Sequence, residues 1–577
     1  MARASYAAPG VYVEEVPSAR QPIAGVGTNT VGFIGLVDDV VYVPVANPRY
    51  DPVEGRASAS SRAQAAAESL KKTSKDSLPK LEADLQTAEN DLRAKTTDLK
   101  NAKKALQTLA AEADKTVETA AVESATQALD LATQKRDDLQ KQVNQTKLQI
   151  DDTGEKLDVE DTSYDDSPKP DSKDMVDHYE SEKNFPTDRP YLFKAVTIKA
   201  APLDTKLCTN FTEYTDRFGD FSGFTAGPFT ADAGAMWHYR PLSPGHHMLT
   251  HAVNGFFKNG GTRCFVARVK TVADLEKVLK RFESIDEVAI MAAPGLPKVK
   301  SVWEEMQAYC EDDDHQNVFA ILDCPAIVGS GSNLADQELT YDDPKVSKLP
   351  RPSDHAAFYF PYIEVSDPAK RLQDEDPARG IDAKYRGLTY VPPSGHMAGV
   401  YSRIDEERGV HKAPANAVLR GALEVKYYVS KSLQAGLNPQ GVNCLRIMDG
   451  AVVAWGARTI GGDRNGAWKY INVRRFAGFL SESIDEGTQW VVFEPNDPVL
   501  WSKIRLNVTA FLTNVWRNGA LFGLTADEAF YVKCDAELNP PEVRDLGQVI
   551  TEIGVAIVRP AEFVIFRISQ STGAKGN

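Results

Sequence analysis

The densest group of potential metal ligands in the sequence is "GHHMLTH", which contains His246, His247 and His251. Residues four apart lie on the same face of a helix, so His247 and His251 could face one metal ion. No carboxylate or cysteine stands near them in the sequence to complete a ligand set. We therefore predict no metal-ligating residues and no cofactor.

A second group, "PPSGHMAGVYSRIDEERGVHK", collects the residue types of a nucleophilic triad: Ser394, His396, Asp405 and His411. Ser394 and His396 flank a glycine in a predicted loop, without the strand–turn–helix of a nucleophile elbow. A hydrolase would need these two side chains within about 3 Å of each other. The sequence also contains no GxxxxGK[ST], HExxH or GxSxG pattern. We predict that the chain is not an enzyme and has no catalytic residues.

The length, composition and net charge are those of a large, acidic globular protein. Its 577 residues predict two to four domains, and a formal net charge of -15 argues against a nucleic-acid binder. The first residues lack the apolar core of a secretory signal, so we expect none. The sequence contains no run of eighteen apolar residues, so we expect no membrane span. The six cysteines are scattered, without a CxxC pair, as expected of reduced thiols in a protein made in the cytoplasm.

Residues 57–153 differ from the rest, because they contain no glycine, no aromatic residue and one proline, Pro79. Apolar residues recur there with the heptad spacing of a coiled coil. The first seam comprises Leu78, Leu81, Leu85, Ala88, Leu92, Leu99, Ala102, Leu106 and Leu109, and the second comprises Val122, Ala125, Leu129, Ala132, Leu139, Val143, Ile150 and Leu157. Two seams around a weak centre favour an antiparallel helical hairpin that turns near 114–119. One continuous helix is the alternative, since neither Gly nor Pro marks the turn. Lys95 and Arg136 at seam positions predict a coil of moderate stability.

An acidic, polar stretch, 159–189, follows and is typical of a linker. From residue 190 onward, strand-like runs alternate with amphipathic helical runs, which indicates an α/β or α+β fold. The predicted strands are "LFKAVTI", "CFVARV", "EVAIMAA", "VFAILDC" and "AAFYFPYIEV", after the strand-like region 26–45; the predicted helices are "LTHAVNGFFKN", "ADLEKVLKRFE" and "SVWEEMQAYCEDD".

A further globular block begins near Leu437. We predict strands at "NCLRIM", "AVVAWGART", "YINVRRF" and "QWVVFEP", and a helix from Pro498 to Gly519. The apolar stripe of that helix comprises Leu500, Ile504, Val508, Phe511, Leu512, Val515 and Trp516, whereas Lys503, Arg505 and Arg517 lie mostly off the stripe.

Both ends of the chain carry short β-type segments. The first is "GVYVEEV" (Gly10, Val11, Tyr12, Val13, Glu14, Glu15, Val16), and the second is "FVIFRI" (Phe563, Val564, Ile565, Phe566, Arg567, Ile568). A lone strand leaves its backbone N–H and C=O groups without partners. Each must pair with the chain's own sheet or with another chain, and the residues alone favour the former.

Several long stretches resemble the contractile tail sheath proteins of phages and of phage-tail-like injection systems. They include "PGVYVEEVPSARQPIAGVGTNTVGFIG", "LTHAVNGFFKNGGTRCFVARV", "VPPSGHMAGVYSRIDEERGVHKAPAN" and "NPPEVRDLGQVITEIGVAIVRPAEFVIFRI". The resemblance covers nearly all of the chain except about 46–189, which has the character of an insertion.

The resemblance implies a multidomain sheath fold. Its expected parts are an N-terminal strand-exchange arm (1–25), an outer or middle domain (26–56 plus 190–425), the coiled-coil insertion (57–158), the acidic linker (159–189), a C-terminal inner domain (426–560) and a C-terminal strand-exchange arm (561–577).

The resemblance also implies a function. Sheath subunits polymerise as stacked hexameric rings around an inner tube and contract to drive that tube through a target envelope. The two arms would pair with sheets of neighbouring subunits, and Lys503, Arg505 and Arg517 would face the tube. The alternative for the three cations is that they are ordinary solvated charges.

The implied partners are other copies of the chain, the inner tube protein, and baseplate and cap proteins at the ends, without direct nucleic-acid contact or a membrane span. Assembly would take place in the bacterial cytoplasm, as part of a virion tail or of a phage-tail-like particle. A second function stays open, in which a sheath-fold protein uses its coiled-coil insertion to bind a surface or partner.

Overall fold

The computed structural model describes residues 23–108, 116–151, 187–225, 241–296, 299–325 and 349–563. The N-terminal arm segment 10–16, the acidic stretch 159–186 and residues 564–568 of the C-terminal arm lie outside these ranges. The strands are β1 Val31–Leu36, β2 Val40–Ala46, β3 Tyr191–Thr197, β4 Thr205–Cys208, β5 Cys264–Val269, β6 Ile290–Ala292, β7 Phe319–Asp323, β8 Ala356–Phe360, β9 Ile363–Ser366, β10 Leu388–Val391, β11 Ala417–Val418, β12 Ala422–Val425, β13 Val442–Met448, β14 Ala451–Ala454, β15 Phe530–Lys533 and β16 Glu552–Val555.

Helices flank these strands. They are α1 Pro52–Thr108, α2 Thr116–Asp151, α3 Phe211–Phe218, α4 Pro244–Lys258, α5 Leu275–Phe282, α6 Val299–Glu311, α7 Pro368–Asp374, α8 Ser394–Arg408, α9 Lys431–Leu437, α10 Ile471–Thr488, α11 Pro498–Arg517, α12 Ala526–Ala529 and α13 Pro541–Asp545. No helix in the described ranges has the length and apolar character needed to cross a bilayer.

A nine-stranded sheet forms the centre of the molecule, in the order β11-β14-β13-β8-β7-β6-β1-β5-β4. The pairs from β13 to β5 are parallel, and the outer pairs are antiparallel. Along β1, Val31 and Phe33 belong to the apolar cluster on one face, and Ile34 belongs to that on the other. Helices on both faces explain why the central strands are mostly apolar, with buried polar exceptions such as Arg268 of β5 and Asn443 of β13. The mixed α/β prediction is confirmed. The sheet includes β13 and β14, which the sequence analysis assigned to the C-terminal block.

Helices α4 and α8 cover one face of the sheet and approach each other closely. A Cβ atom at Gly395 would lie 2.3 Å from the Cα of Ala252, and one at Gly399 would lie 2.4 Å from the carbonyl oxygen of Phe256. Only glycine permits this separation. The contact fixes His246, His247 and His251 on α4 relative to Ser394 and His396 on α8.

The long helices α1 and α2 emerge between β2 and β3, which pair as an antiparallel ribbon. They pack against each other. The predicted seam lies toward the contact, since Ala88, Ala132 and Val143 are buried and the seam leucines of 78–106 are half-buried. Helix α2 begins at Thr116, so the turn predicted at 114–119 does not include residues 116–119. Residues 109–115 lie outside the described ranges, and the antiparallel coiled coil stays a prediction.

In a small C-terminal unit, α10 and α11 pack with the antiparallel strands β15 and β16 around a separate apolar cluster. We call this strand pair the β15–β16 hairpin, although a connection containing α13 joins the two strands. Here two predicted strands were wrong. "YINVRRF" forms the start of α10, because its buried residue Phe476 lies on the same helical face as Leu480, one turn further along. "QWVVFEP" contains a short 3-10 turn instead. The helix predicted from Pro498 is confirmed as α11, capped by Asp497, whose carboxylate accepts the N–H of Leu500 at 2.8 Å.

Candidate functional site

The N-terminal segment is held where it enters the described structure, at residues 23–28, which we name the N-root. The side chain of Ile23 joins the apolar cluster of the C-terminal unit and lies against Gly487 of α10. The N–H of Val26 donates to Oγ of Ser483 on the same helix, at 3.1 Å. The N-root therefore packs against the C-terminal unit.

A buried arginine fastens the N-root. Arg475 of α10 donates to both carboxylate oxygens of Asp405 on α8, at 3.0 and 2.6 Å, and to the carbonyl oxygen of Thr28 at 2.8 Å. The Thr28 hydroxyl donates to the same carboxylate at 2.8 Å. Burial opposes the charge of Arg475, yet the Asp405 carboxylate raises its pKa. The bidentate pair orients Arg475, and Arg475 in turn holds the N-root backbone through the carbonyl oxygen of Thr28.

The C-terminal segment has a corresponding fastening at residues 558–563, which we name the C-root. Arg458, also buried, donates to both carboxylate oxygens of Glu562 at 2.9 and 2.8 Å. Asn438 and Tyr470 donate to the same carboxylate at 2.6 and 3.0 Å. Burial raises the pKa of Glu562, but the donors from Arg458 and Asn438 outweigh it and hold that pKa below its ordinary value. Phe563, one residue further, is 72% exposed.

Both roots contact one helix, α10. Asn472 donates to the carbonyl oxygen of Val558 at 3.3 Å, and Ser483 accepts from the N-root. These two residues lie eleven positions apart, or about 16 Å along the helix. The two roots are thus bonded to the same helix, about three turns apart.

The β15–β16 hairpin lies beside the roots. Val532 and Ile553 pack on the apolar cluster below it, while Tyr531 is 52% exposed. In the described part of the chain each of these strands has one ladder partner, the other strand. Each outer edge therefore presents backbone donors and acceptors that an added strand could satisfy.

A groove of about 870 Å³ opens at the C-root. Five basic side chains line it, and Glu562, already bonded to Arg458, is its acidic residue. The basic set is Arg408, Lys412, Lys431, Arg446 and Arg559. The groove is therefore suited to an acidic segment of chain.

Helix α11 has the predicted buried stripe, and the three candidate tube contacts differ from one another. Arg517 is exposed and Lys503 is half-exposed. Arg505 donates to the carbonyl oxygen of Cys534 and to Oγ of Ser502, so it braces the end of β15. The outer face of α11 also exposes Val499 and Leu506, at 58% and 68%. It is a mixed apolar and basic surface.

The triad-like residues are not brought together. Ser394 begins α8 instead of lying in a loop, and its hydroxyl donates to Asp323 at 2.6 Å. His396 is buried beside Gly255, with a pKa lowered by burial to about 3. Asp405 belongs to the Arg475 pair, and His411 packs on Phe476. The loop prediction was wrong because α8 starts directly after Pro393, with Asp323 from a distant strand accepting the Ser394 N–H.

The sequence analysis missed Arg458, Arg475 and Asp323. Their partners lie 104, 70 and 71 residues away, so no local spacing indicates them. The six cysteines are all buried and free, as expected of reduced thiols.

The described chain is thus a layered α/β domain joined to a small unit that contacts both roots. Residues 269–460 match the family model of the phage tail sheath protein central domain, and residues 463–571 match that of the phage tail sheath C-terminal domain. Together the two matches cover just over half of the chain. The chain belongs to the tail sheath family, which is a family of structural proteins.

Two individual tail sheath proteins are also similar to this chain. The tail sheath protein of Vibrio phage KVP40 is 26% identical over 194 residues, which is 32% of this chain and 27% of the relative. That of Burkholderia phage BcepMu is 23% identical over 287 residues, which is 47% of this chain and 53% of the relative. The matched regions therefore span about a quarter and about half of these two relatives.

Among solved structures, the PVC sheath, from an extracellular contractile injection system in its contracted state, is similar. It is 25% identical with a TM-score of 0.50, over 65% of this chain and 88% of that one.

Proposed function

We propose that this chain is the subunit of a contractile sheath. Copies of it polymerise as stacked hexameric rings around an inner tube, and the polymer contracts to drive the tube through a target envelope. Family membership supports the sheath role, and the similar PVC structure is itself a contracted sheath. Baseplate and cap proteins would meet the ends of this polymer, which is assembled in the bacterial cytoplasm as part of a tail-like particle.

The observation that carries the proposal is the arrangement of the two roots beside an open hairpin. The N-root and C-root contact the same helix, α10, and the hairpin of the same unit has outer edges without a ladder partner in the described residues. In this proposal, "GVYVEEV" and "FVIFRI" cross to neighbouring subunits and add strands there. Four or five main-chain hydrogen bonds per arm, each worth roughly 1 kcal/mol net, would keep the polymer connected while subunits move as rigid bodies.

The charges of the N-terminal segment and of the groove at the C-root support contact between them in neighbouring subunits. The N-terminal segment carries Glu14 and Glu15, and the groove at the C-root is lined by five basic side chains. A neighbour's N-terminal arm is therefore the occupant we propose for the groove.

Helix α11 is proposed to face the tube. Lys503 and Arg517 supply basic groups there, whereas Arg505 is engaged by the backbone of Cys534 and contributes mainly to the fold. Polar contacts suit a surface that must release the tube during contraction, because a large apolar interface would oppose release.

The inserted helices are proposed to form an antiparallel coiled-coil hairpin that projects outward. Their base is bound to the body by Arg62, which pairs with Asp376 at 2.7 Å and with Asp188 at 2.8 Å. A fixed base and a thin seam fit a projecting element better than a brace that must bear load.

Electron microscopy of the full-length protein, co-expressed with its tube protein, tests the sheath role. Hollow striated tubes with radial surface density would support both the polymer and the outward insertion. Monomers or small closed oligomers under all conditions would contradict the proposal.

The second candidate, an attachment protein with a sheath fold, rests on the insertion. Deleting residues 57–158 separates the two functions. Under the attachment hypothesis the deletion abolishes binding to a target while assembly and contraction survive. Loss of assembly would instead identify the insertion as a brace between subunits.

A further inference from the structure

Three side chains far apart in the sequence meet in the interior below α4. His247 and His251 stand one helical turn apart, and Asp367 lies more than a hundred residues later. Oδ2 of Asp367 is 2.9 Å from Nε2 of His251 and 3.4 Å from Nδ1 of His247. The three potential ligand atoms lie within 4.8 Å of one another, and all three residues are buried.

The carboxylate is oriented by its position in the chain. Asp367 is the N-cap of α7, and its Oδ1 accepts the N–H of Lys370 at 2.8 Å. This bond leaves Oδ2 directed at the two imidazoles. A carboxylate held by a helix cap is a rigid ligand, because its side chain keeps little rotational freedom.

His247 presents a nitrogen without a hydrogen-bond partner. Its Nδ1 is fully buried and makes no hydrogen bond in the described part of the chain. Its other nitrogen, Nε2, lies 3.4 Å from the hydroxyl of Thr389. This is the usual arrangement of a ligating histidine, in which one nitrogen binds the metal and the other donates to a neighbouring group. Without a ligand, the buried Nδ1 would stay unsatisfied, which is unfavourable in the protein interior.

The ion pairs around Asp367 also favour a bound metal ion. The nearby cations Lys370 and Arg379 both pair with Asp374, at 2.6 and 3.3 Å. Within the described ranges the ion pairs of Asp367 are with the two histidines. A buried carboxylate needs a compensating partner, and a metal ion held between the two imidazoles would supply it.

We propose that His247, His251 and Asp367 bind a divalent transition-metal ion of the zinc class. Two imidazoles and one carboxylate are a usual zinc ligand set, and a fourth position would remain for water. Two ligands that each lie about 2.1 Å from a tetrahedral zinc ion are about 3.4 Å apart. The His247–Asp367 distance already fits, and the His251–Asp367 distance must open by about half an ångström. The ion would join α4 to the start of α7 and so stabilise the central domain.

The test uses full-length protein, purified without chelators and without a metal-affinity step, from medium supplemented with zinc. Elemental analysis is expected to give about one zinc ion per chain. Protein refolded with Co²⁺ is expected to show the visible absorption bands of tetrahedral cobalt, together with a higher melting temperature than protein refolded with chelator.

Variants locate the ion. Asp367→Asn and His247→Gln each remove one ligand, and the bound metal should fall about tenfold. The matched control is His246→Gln, on the same helix and equally buried, whose imidazole bonds to the Phe218 carbonyl at 2.8 Å and lies outside the cluster. This control should keep its metal. If Asp367→Asn fails to fold, His247→Gln still decides, because in a metal-free protein the His247 Nδ1 has no bond to lose.

Folded wild-type protein that contains no zinc and gives no cobalt bands would overturn the proposal. The cluster would then be a metal-free hydrogen-bonded pair of His251 and Asp367. Metal content that survives in both ligand variants would also overturn it, since the ion would then lie elsewhere.

Discussion

The two arm roots are fastened by the same chemistry in opposite ways. At the C-root, Arg458 binds the carboxylate of Glu562, a residue of the departing segment itself. At the N-root, Arg475 binds Asp405, a residue of the body, and reaches the departing segment through the carbonyl oxygen of Thr28. Both are bidentate arginine–carboxylate pairs, but only one includes a charge of the arm.

The difference predicts how each root responds to change. The Arg475–Asp405 pair joins α10 to α8 and lies between the two globular parts of the chain, so its loss affects the whole fold. The Arg458–Glu562 pair holds a terminal segment, so its loss frees that segment and leaves the fold behind it. The Arg475–Asp405 pair at the N-root is thus required by the whole fold, and we call it the scaffold pair. The Arg458–Glu562 pair at the C-root holds a terminal segment, and we call it the latch.

The largest effect is expected for Arg475→Met. It leaves the buried Asp405 carboxylate without its cation, which costs about 3–5 kcal/mol of folding free energy. Urea unfolding monitored by tryptophan fluorescence measures the loss. Arg263→Ala is the control, because Arg263 pairs with Glu287 at an exposed position and should cost under about 1 kcal/mol. Equal losses in the two variants would show that the N-root pair is not structural.

A smaller and local effect is expected for Glu562→Gln. Arg458 keeps Asp463, at 3.0 Å, as a partner, so the variant should lose about 1.5–3 kcal/mol of C-root stability. Hydrogen exchange should quicken in 558–563 while urea unfolding changes little. Glu552→Gln, at an exposed position on β16, is the matched control and should alter neither. A global loss equal to that of Arg475→Met would remove the distinction between the latch and the scaffold pair.

The latch should also open in acid. The pKa of Glu562 in the folded chain lies below the ordinary 4.5. Its contribution is therefore complete above about pH 4.5 and is lost as the pH falls through the lower, folded-state pKa. The protection factor for hydrogen exchange at the C-root, which corrects for the pH dependence of intrinsic exchange, should fall over that range in the wild type. Glu562→Gln should show no such acid step at 558–563; a step of equal size in the variant would assign the effect to another group.

The smallest effect on stability is expected on the outer face of α11. Arg517→Ala should change the unfolding free energy by less than about 0.5 kcal/mol, because its side chain is exposed. Arg505→Ala should cost about 1 kcal/mol, because it removes the donor to the Cys534 carbonyl. Co-sedimentation with the tube protein should reverse the order, with Arg517→Ala the weaker binder. Unchanged sedimentation of Arg517→Ala would assign Arg517 to an ordinary solvated face.

The sequence predicted elements whose periodicity is local. Helix α11 has a stripe of buried residues and a capping Asp497, and strand β8 is a continuous apolar run. It failed where packing overrides local preference, as in α10, whose first residues are β-branched and aromatic although the helical pattern lies further along. The polar partnerships could not be predicted at all, since pairs such as Arg458–Glu562 or His251–Asp367 form only when the central sheet brings distant segments together.

The most direct test of the sheath account is the deletion of residues 1–20, which keeps the whole N-root. The truncated chain should fold with an unchanged melting temperature, because Ile23, Thr28 and the Arg475 pair remain. Electron microscopy should then show soluble subunits where the full-length protein forms tubes. Tubes of normal length from the truncated chain would contradict strand exchange by the N-terminal arm.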